Sequence, residues 1–257
     1  MKASCTALAL SFALIFTQPL FAQSPGTLAL TDVGRPVLKA ALKLTEQYGY
    51  VITYEEPAYR SKDDLVDVSH DFHPHPAWRK ILVPKGGNLN VTLPHGPLKP
   101  TEMYALLQGL VDSWNASDQG GAQFAVVEDG AVFHIVPTQI RDESGNWKSV
   151  TPVLETPISL ATEGRTIDET FDAVAAAVAA SAGVKVKSLP EGGIIMGPVQ
   201  RDKYTLGASQ EPAASVLMRT LKMMPTPRSW YLLYDPTTRA YFMNILGCPT
   251  VPPSNAP

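Results

Sequence analysis

The stretch RPVLKAALKLTEQYGYVITY, residues 35–54, decides the reading of the fold. Pro36 falls in the first turn of a helix, where its fixed φ is suited and its missing N–H is not needed. Val37, Leu38, Ala41, Leu42 and Leu44 recur at helical spacing. Gly49 supplies the stop that helices commonly take at their C-terminus. Val51-Ile52-Thr53-Tyr54 is β-branched and aromatic, so it reads as a strand, and Pro57 ends it. The same plan returns at 165–187, RTIDETFDAVAAAVAASAGVKVK. There Thr166 and Glu169 form a capping-box pattern, an Ala-rich helix runs to Gly183, and Val184 and Val186 open a strand.

Working outward, each half reads as helix, short strand, strand, helix and hairpin. In the first half these are Arg35–Tyr48, Val51–Tyr54, Leu89–Leu93, Pro100–Trp114 and Gln123–Val136. In the second they are Arg165–Ala182, Val184–Lys187, Lys203–Leu206, Pro212–Met224 and Trp230–Ile245, after a lead-in strand at Thr156–Leu160. Leu89, Val91 and Leu93 alternate with Asn90 and Thr92, the period of a half-buried strand. Met103, Leu106, Leu107, Leu110, Val111 and Trp114 form a helical apolar stripe. Asp129-Gly130 marks one hairpin, and Asp235–Thr238 the other. The expected fold is α+β: two small repeated units, each with two helices packed on a small mixed sheet ending in a β-hairpin. The first unit spans 23–137 and carries an inserted loop at 57–88. The second, diverged unit spans 156–246. A polar linker at 138–155 joins them, and a Pro-rich tail at 247–257 follows.

Residues 1–22 read as a secretory signal peptide: Lys2, an apolar run over Ala7–Phe16, and cleavage expected after Ala22. That run is shorter than the ~20 apolar residues of a membrane span, and no later stretch is longer. The mature chain is therefore expected to be exported, in the periplasm, without a membrane span. Without Lys2, 20 of the 21 basic residues face 24 acidic ones, so the net charge moves from -3 to -4. That balance lacks the clustered basic face of a nucleic-acid binder. Cys248 is the one cysteine outside the leader, so no internal disulfide is expected. Two fates suit it: a free thiol in the tail, or a crosslink to another molecule.

With these elements in place, the pattern resembles the secretin and TonB short N-terminal domain. The residues that carry the likeness are the Pro36–Gly49 helix, the Ile52-Thr53-Tyr54 strand, the Leu89–Leu93 strand, the helix through Leu98–Trp114 and the hairpin Phe124–Val136. The likeness covers roughly 28–137, with 156–246 as a second, diverged copy. It implies a small periplasmic module that binds other proteins or signal peptides by packing and strand pairing, tied to secretin or TonB-type transport. In that family such a module usually precedes an outer-membrane pore or receptor. No sequence of barrel length follows Ile245 here, so a stand-alone adaptor is expected.

The chain carries no Gly-x-Ser-x-Gly, His-Glu-x-x-His, Ser-x-x-Lys, Cys-x-x-Cys or phosphate-binding Gly loop. A non-enzymatic protein-interaction module with an envelope protein partner is the first expectation, through a sheet edge or the 57–88 loop. The alternative is a small-ligand or metal binder. Its candidate ligands are His70, Asp71, His73 and His75, whose imidazole and carboxylate groups suit zinc or copper. The same composition also suits a solvated loop. Glu55 and Glu56 are neighbours on a strand and so point to opposite faces, which argues against a paired acid and base. Trp114, Trp230, Tyr231 and Phe242 are expected in the core or packing the hairpins. Tyr234 and Tyr241 are read as an exposed aromatic patch. His134 is placed facing solvent or accepting a core hydrogen bond.

Overall fold

The computed structural model describes residues 26–72, 80–189 and 202–248. In chain order the first half contains β1 (Gly26–Val33), α1 (Pro36–Tyr48), β2 (Val51–Glu55), β3 (Leu65–Asp67), α2 (Ser69–Phe72), β4 (Leu82–Pro84), β5 (Gly87–Leu93), α3 (Pro100–Ser117), β6 (Ala122–Asp129) and β7 (Val132–Arg141). The second half contains β8 (Trp147–Ser149), β9 (Pro157–Arg165), α4 (Ile167–Ala182), β10 (Val186–Leu189), β11 (Tyr204–Pro212), α5 (Ala213–Lys222), β12 (Arg228–Asp235) and β13 (Ala240–Gly247). The fold class is α+β, as the sequence predicts.

The local signals act as read. Pro36 sits in the first turn of α1, and Gly49 closes it at φ 72° with its N–H on the Thr45 carbonyl. The N-cap of α1 is Arg35, left-handed at φ 57° and with no side-chain cap bond. Its guanidinium is used elsewhere, as described below. Thr166 accepts from the Glu169 N–H and the Glu169 carboxylate accepts from the Thr166 N–H, the reciprocal capping box of α4.

Two separate small sheets are not what forms. One sheet runs in the order β10-β13-β12-β2-β7-β6, with β8 pairing the far end of β7. The halves meet where β12 pairs β2 in parallel, Tyr231 opposite Tyr54 and Leu232 opposite Glu55. Within each half the pattern is the same: β2 is parallel and β6 antiparallel to β7, while β10 is parallel and β12 antiparallel to β13. A two-stranded ribbon flanks each half, β1 with β5 and β9 with β11.

Strand directions and burial together define the geometry. Ile52, Tyr54, Phe133, Ile135 and Tyr231 point into a core with α1 and α3. Val132, Trp230, Leu232, Tyr234, Met243 and Ile245 point into a second core with α4 and α5. Alternate residues of one strand thus enter different cores, because successive side chains leave opposite faces. The helices of the two halves therefore lie on opposite faces of one sheet. The halves are related by half a turn about an axis that crosses the strands, plus a step along it. Continuous apolar runs in β2 and β12 are what a strand covered on both faces requires.

The expected linker is folded. Residues 138–141 continue β7, 147–149 form β8, and Val153–Glu155 form a 3-10 turn with Leu154 fully buried. Its polar residues are consumed in a tight turn, where the Asp142 carboxylate accepts from the N–H groups of Ser144 and Asn146. The described parts of the 57–88 insertion, 57–72 and 80–88, are also folded. They supply a 3-10 turn, the β3–β4 ladder and the start of β5, and the Leu82 N–H donates to the Thr237 hydroxyl at 2.8 Å. The short helix expected near Trp78 and the signal peptide both lie outside the described residues, as does the tail beyond Cys248.

Candidate functional site

The chemically dense region is the joint between β2 and β12, and it is built from the two acids that follow the VITY strand. Glu55 and Glu56 are 1% and 0% exposed. They do leave opposite faces, and each finds its own set of partners.

Glu56 turns toward the first half. Its carboxylate takes the Arg35 Nε–H at 2.7 Å and the Tyr234 backbone N–H at 2.9 Å. Arg35 also donates from Nη2 to the Tyr234 carbonyl at 3.0 Å. The N-cap residue of α1 thus crosses the joint and satisfies a strand of the second half. Burial raises the Glu56 carboxyl above its ordinary range, and the Arg35 charge and hydrogen bond pull it back. Burial, with Glu56 close by, raises the Tyr54 and Tyr59 phenols well above their ordinary value.

Glu55 turns toward the second half. Its Oε1 accepts a short hydrogen bond from the Val153 N–H and a 3.4 Å contact from the Leu154 N–H, while Oε2 has only a 3.4 Å contact from Leu154. The carboxylate caps the 3-10 turn that opens the second half. Burial is the largest influence on it and outweighs the two backbone bonds, so its pKa rises from 4.5 to about 8. Nearby, the buried Ser229 hydroxyl donates to the Ile52 carbonyl, another bond across the joint.

Glu55 also lines a cavity of about 340 Å³ between the end of β2, the β7–β8 arm and the start of β13. A larger groove, about 600 Å³, lies between the insertion and the β12–β13 turn, and its lining includes Arg60, Lys62, Asp63, Glu143 and Arg239.

The proposed metal ligands are only partly placed. His70 and Asp71 are both exposed, with His70 Nε2 2.8 Å from the Asp71 carboxylate. His73 and His75 lie outside the described residues. Among the described residues no group of three or more metal-ligating side chains converges.

Other sequence expectations meet mixed outcomes. Trp114, Trp230 and Tyr231 are buried, but Phe242 is only half-buried, because it faces away from α4 and α5. Tyr234 and Tyr241 are not an exposed patch: both are buried in the second core, their rings 5.0 Å apart. His134 is half-buried, with Nδ1 2.7 Å from the Thr53 hydroxyl. Cys248 is 7% exposed and its N–H donates to the Pro227 carbonyl, so it belongs to the body rather than the tail. Burial pushes its thiol up to about 11.

The open edges of the sheet complete the surface. Among the described residues β6 pairs only with β7, and β10 only with β13. Both backbone groups of Phe124 in β6 are taken by the Asn115 side chain, at 3.0 and 2.8 Å. By strand alternation, the N–H and C=O of Val126 and Glu128 face outward too. Beside them, Val127 is 49% exposed. The β10 edge carries exposed Lys185 and Lys187, a common guard against strand pairing.

Comparison with family models, with curated proteins and with solved structures returns no match. No helix among the described residues is long and apolar enough to cross a membrane.

Proposed function

We propose that the chain is a non-enzymatic interaction module of the cell envelope, exported by its leader, that takes an extended segment of a protein partner onto β6. The likeness of 28–137 to secretin and TonB short N-terminal domains points to the same compartment and the same mode of binding. The observation that carries the reading is the contrast between the two sheet edges. Lysines guard β10, while β6 carries no lysine or proline and leaves the outward groups of Val126 and Glu128 next to an exposed Val127. Strand addition draws affinity from such backbone groups and specificity from alternate side chains.

Val126→Pro tests it. The substitution removes an outward N–H and leaves the β6–β7 ladder intact, a placement that proline tolerates on an edge. Envelope extract is crosslinked to the mature chain and to this variant. A partner captured by the wild type and lost by a variant with an unchanged circular dichroism spectrum supports the reading. Equal capture by both chains refutes it.

A further inference from the structure

We propose that the cavity above Glu55 is a binding site for a small zwitterion of the α-amino-acid type, its ammonium group on Glu55 and its carboxylate on Arg60. The cavity holds about 340 Å³, within the size range of small-ligand sites. Its polar groups are few and of opposite character. A buried carboxyl lies in the wall and an arginine, exposed to solvent, lies at the margin. Tyr241 and Thr151 add hydroxyls, and Ile140 and Val184 add apolar wall. The wall mixes apolar and polar surface, and the placed polar groups can fix a ligand's orientation.

Glu55 is the informative member. Its Oε1 is occupied by the capping bonds, but among the described residues its Oε2 has one long contact, at 3.4 Å, and has capacity for a strong donor. An ammonium group is the donor that gains most there, because a charge-assisted bond in a shielded site is stronger than a neutral one. A simple amine would leave Arg60 unused, and a simple carboxylic acid would meet Glu55 as a like group. A zwitterion satisfies both, and the apolar wall selects a short aliphatic side chain.

The groups that face Glu55 set the signature of binding. They are Glu155 on the 3-10 turn and Tyr241 on β13, while Arg60 lines the same cavity. Burial leaves Glu55 protonated at neutral pH in the empty cavity, and Glu155 adds to that. An ammonium seated on Oε2 favours the carboxylate, so the complex forms with release of the Glu55 proton to solvent. Tyr241 keeps its proton throughout, its phenol being held well above neutrality.

The experiment is calorimetric titration of the mature chain at pH 7 with L-valine, N-acetyl-L-valine and L-valine methyl ester. Running it in two buffers of different ionisation enthalpy counts the protons released. The proposal expects valine to bind and each blocked analogue to bind at least about tenfold more weakly. It expects about one proton released in the wild type and none in Glu55→Gln. Arg60→Ala, a change at an exposed residue, is expected to bind valine and its ester alike. Absence of binding at millimolar valine overturns the proposal. Equal binding of all three compounds does so too, as does valine binding without proton release. These results are independent of the β6 edge.

Discussion

Glu55→Gln gives a sharp test of the joint, because the two side chains differ in titration and hardly in shape. In the wild type the carboxyl is raised from 4.5 to about 8 by burial. A carboxyl whose proton is held more tightly in the folded state contributes stability that is complete below the unfolded pKa. That contribution is lost as pH climbs through the folded pKa. The window is therefore pH 4.5 to 8. At about 1.4 kcal/mol per tenfold change in proton affinity, the interval sets a ceiling of about 5 kcal/mol for the loss. A glutamine oxygen still accepts from Val153 and Leu154 and carries no charge at any pH. Urea unfolding of both chains, followed by far-ultraviolet circular dichroism at pH 5, 7 and 9, measures the difference. The chains are expected to be similar at pH 5. At pH 9 the glutamine variant is expected to lead by several kcal/mol. A difference that stays constant within about 0.5 kcal/mol across that range would refute the placing of a buried, poorly compensated carboxyl at this position.

Other consequences follow from the same geometry. Arg35→Ala strands the fully buried Glu56, so it is expected to cost about 3–5 kcal/mol at pH 7; adding Glu56→Gln should recover part of that loss in a double-mutant cycle. Cys248 is buried and its thiol is pushed up to about 11. It is expected to resist iodoacetamide at pH 8 while folded and to react once urea unfolds the chain, with mass spectrometry as the readout. Rapid alkylation of the native protein would contradict its burial.

Residues with local causes were the legible ones. Pro36, Gly49, the Thr166–Glu169 box and the alternation from Leu89 to Leu93 each act within a few positions, and each element forms where its signal lies. What escaped was non-local. β1 carries a weak alternation, GTLALTDV, that acquires meaning only once β5 is beside it. The linker was read from polarity, yet Leu154 anchors it through contacts with both helices of the second half. Glu55 and Glu56 leave opposite faces as strand alternation predicts, and the cover that buries both is non-local. The available signal was the uninterrupted apolar run before them, together with the matching run Trp230–Tyr234. Two such strands in one chain each need cover on both faces, and pairing them with each other supplies it.

On the proposed reading, the relation between the halves also sets where a partner strand would add. Because α1 and α3 cover one face and α4 and α5 the other, the central strands β2 and β12 are shielded on both sides, as is the start of β7 at Val132. Each outer pair keeps most of one face without helices, although Val132 and Asp129 at the turn between β6 and β7 meet α5. On β6 and β7 that face shows Ala125, Val127 and His134; on β13 and β10, across the sheet, it shows Phe242, Asn244 and Lys187. The two bare faces are chemically unlike. The first is aliphatic at Ala125 and Val127 and ends at Asp129, whose carboxylate meets the Lys222 ammonium of α5 at 3.2 Å, while the second places Lys187 over the Phe242 ring, 5.9 Å from its centre. A strand that adds to β6 gains backbone bonds and an apolar surface in one step. A strand that adds to β10 must first accommodate two ammonium groups. The half-turn between otherwise similar halves thus leaves one receptive end, and it is at that end that loss of a single N–H, at Val126, is expected to be felt.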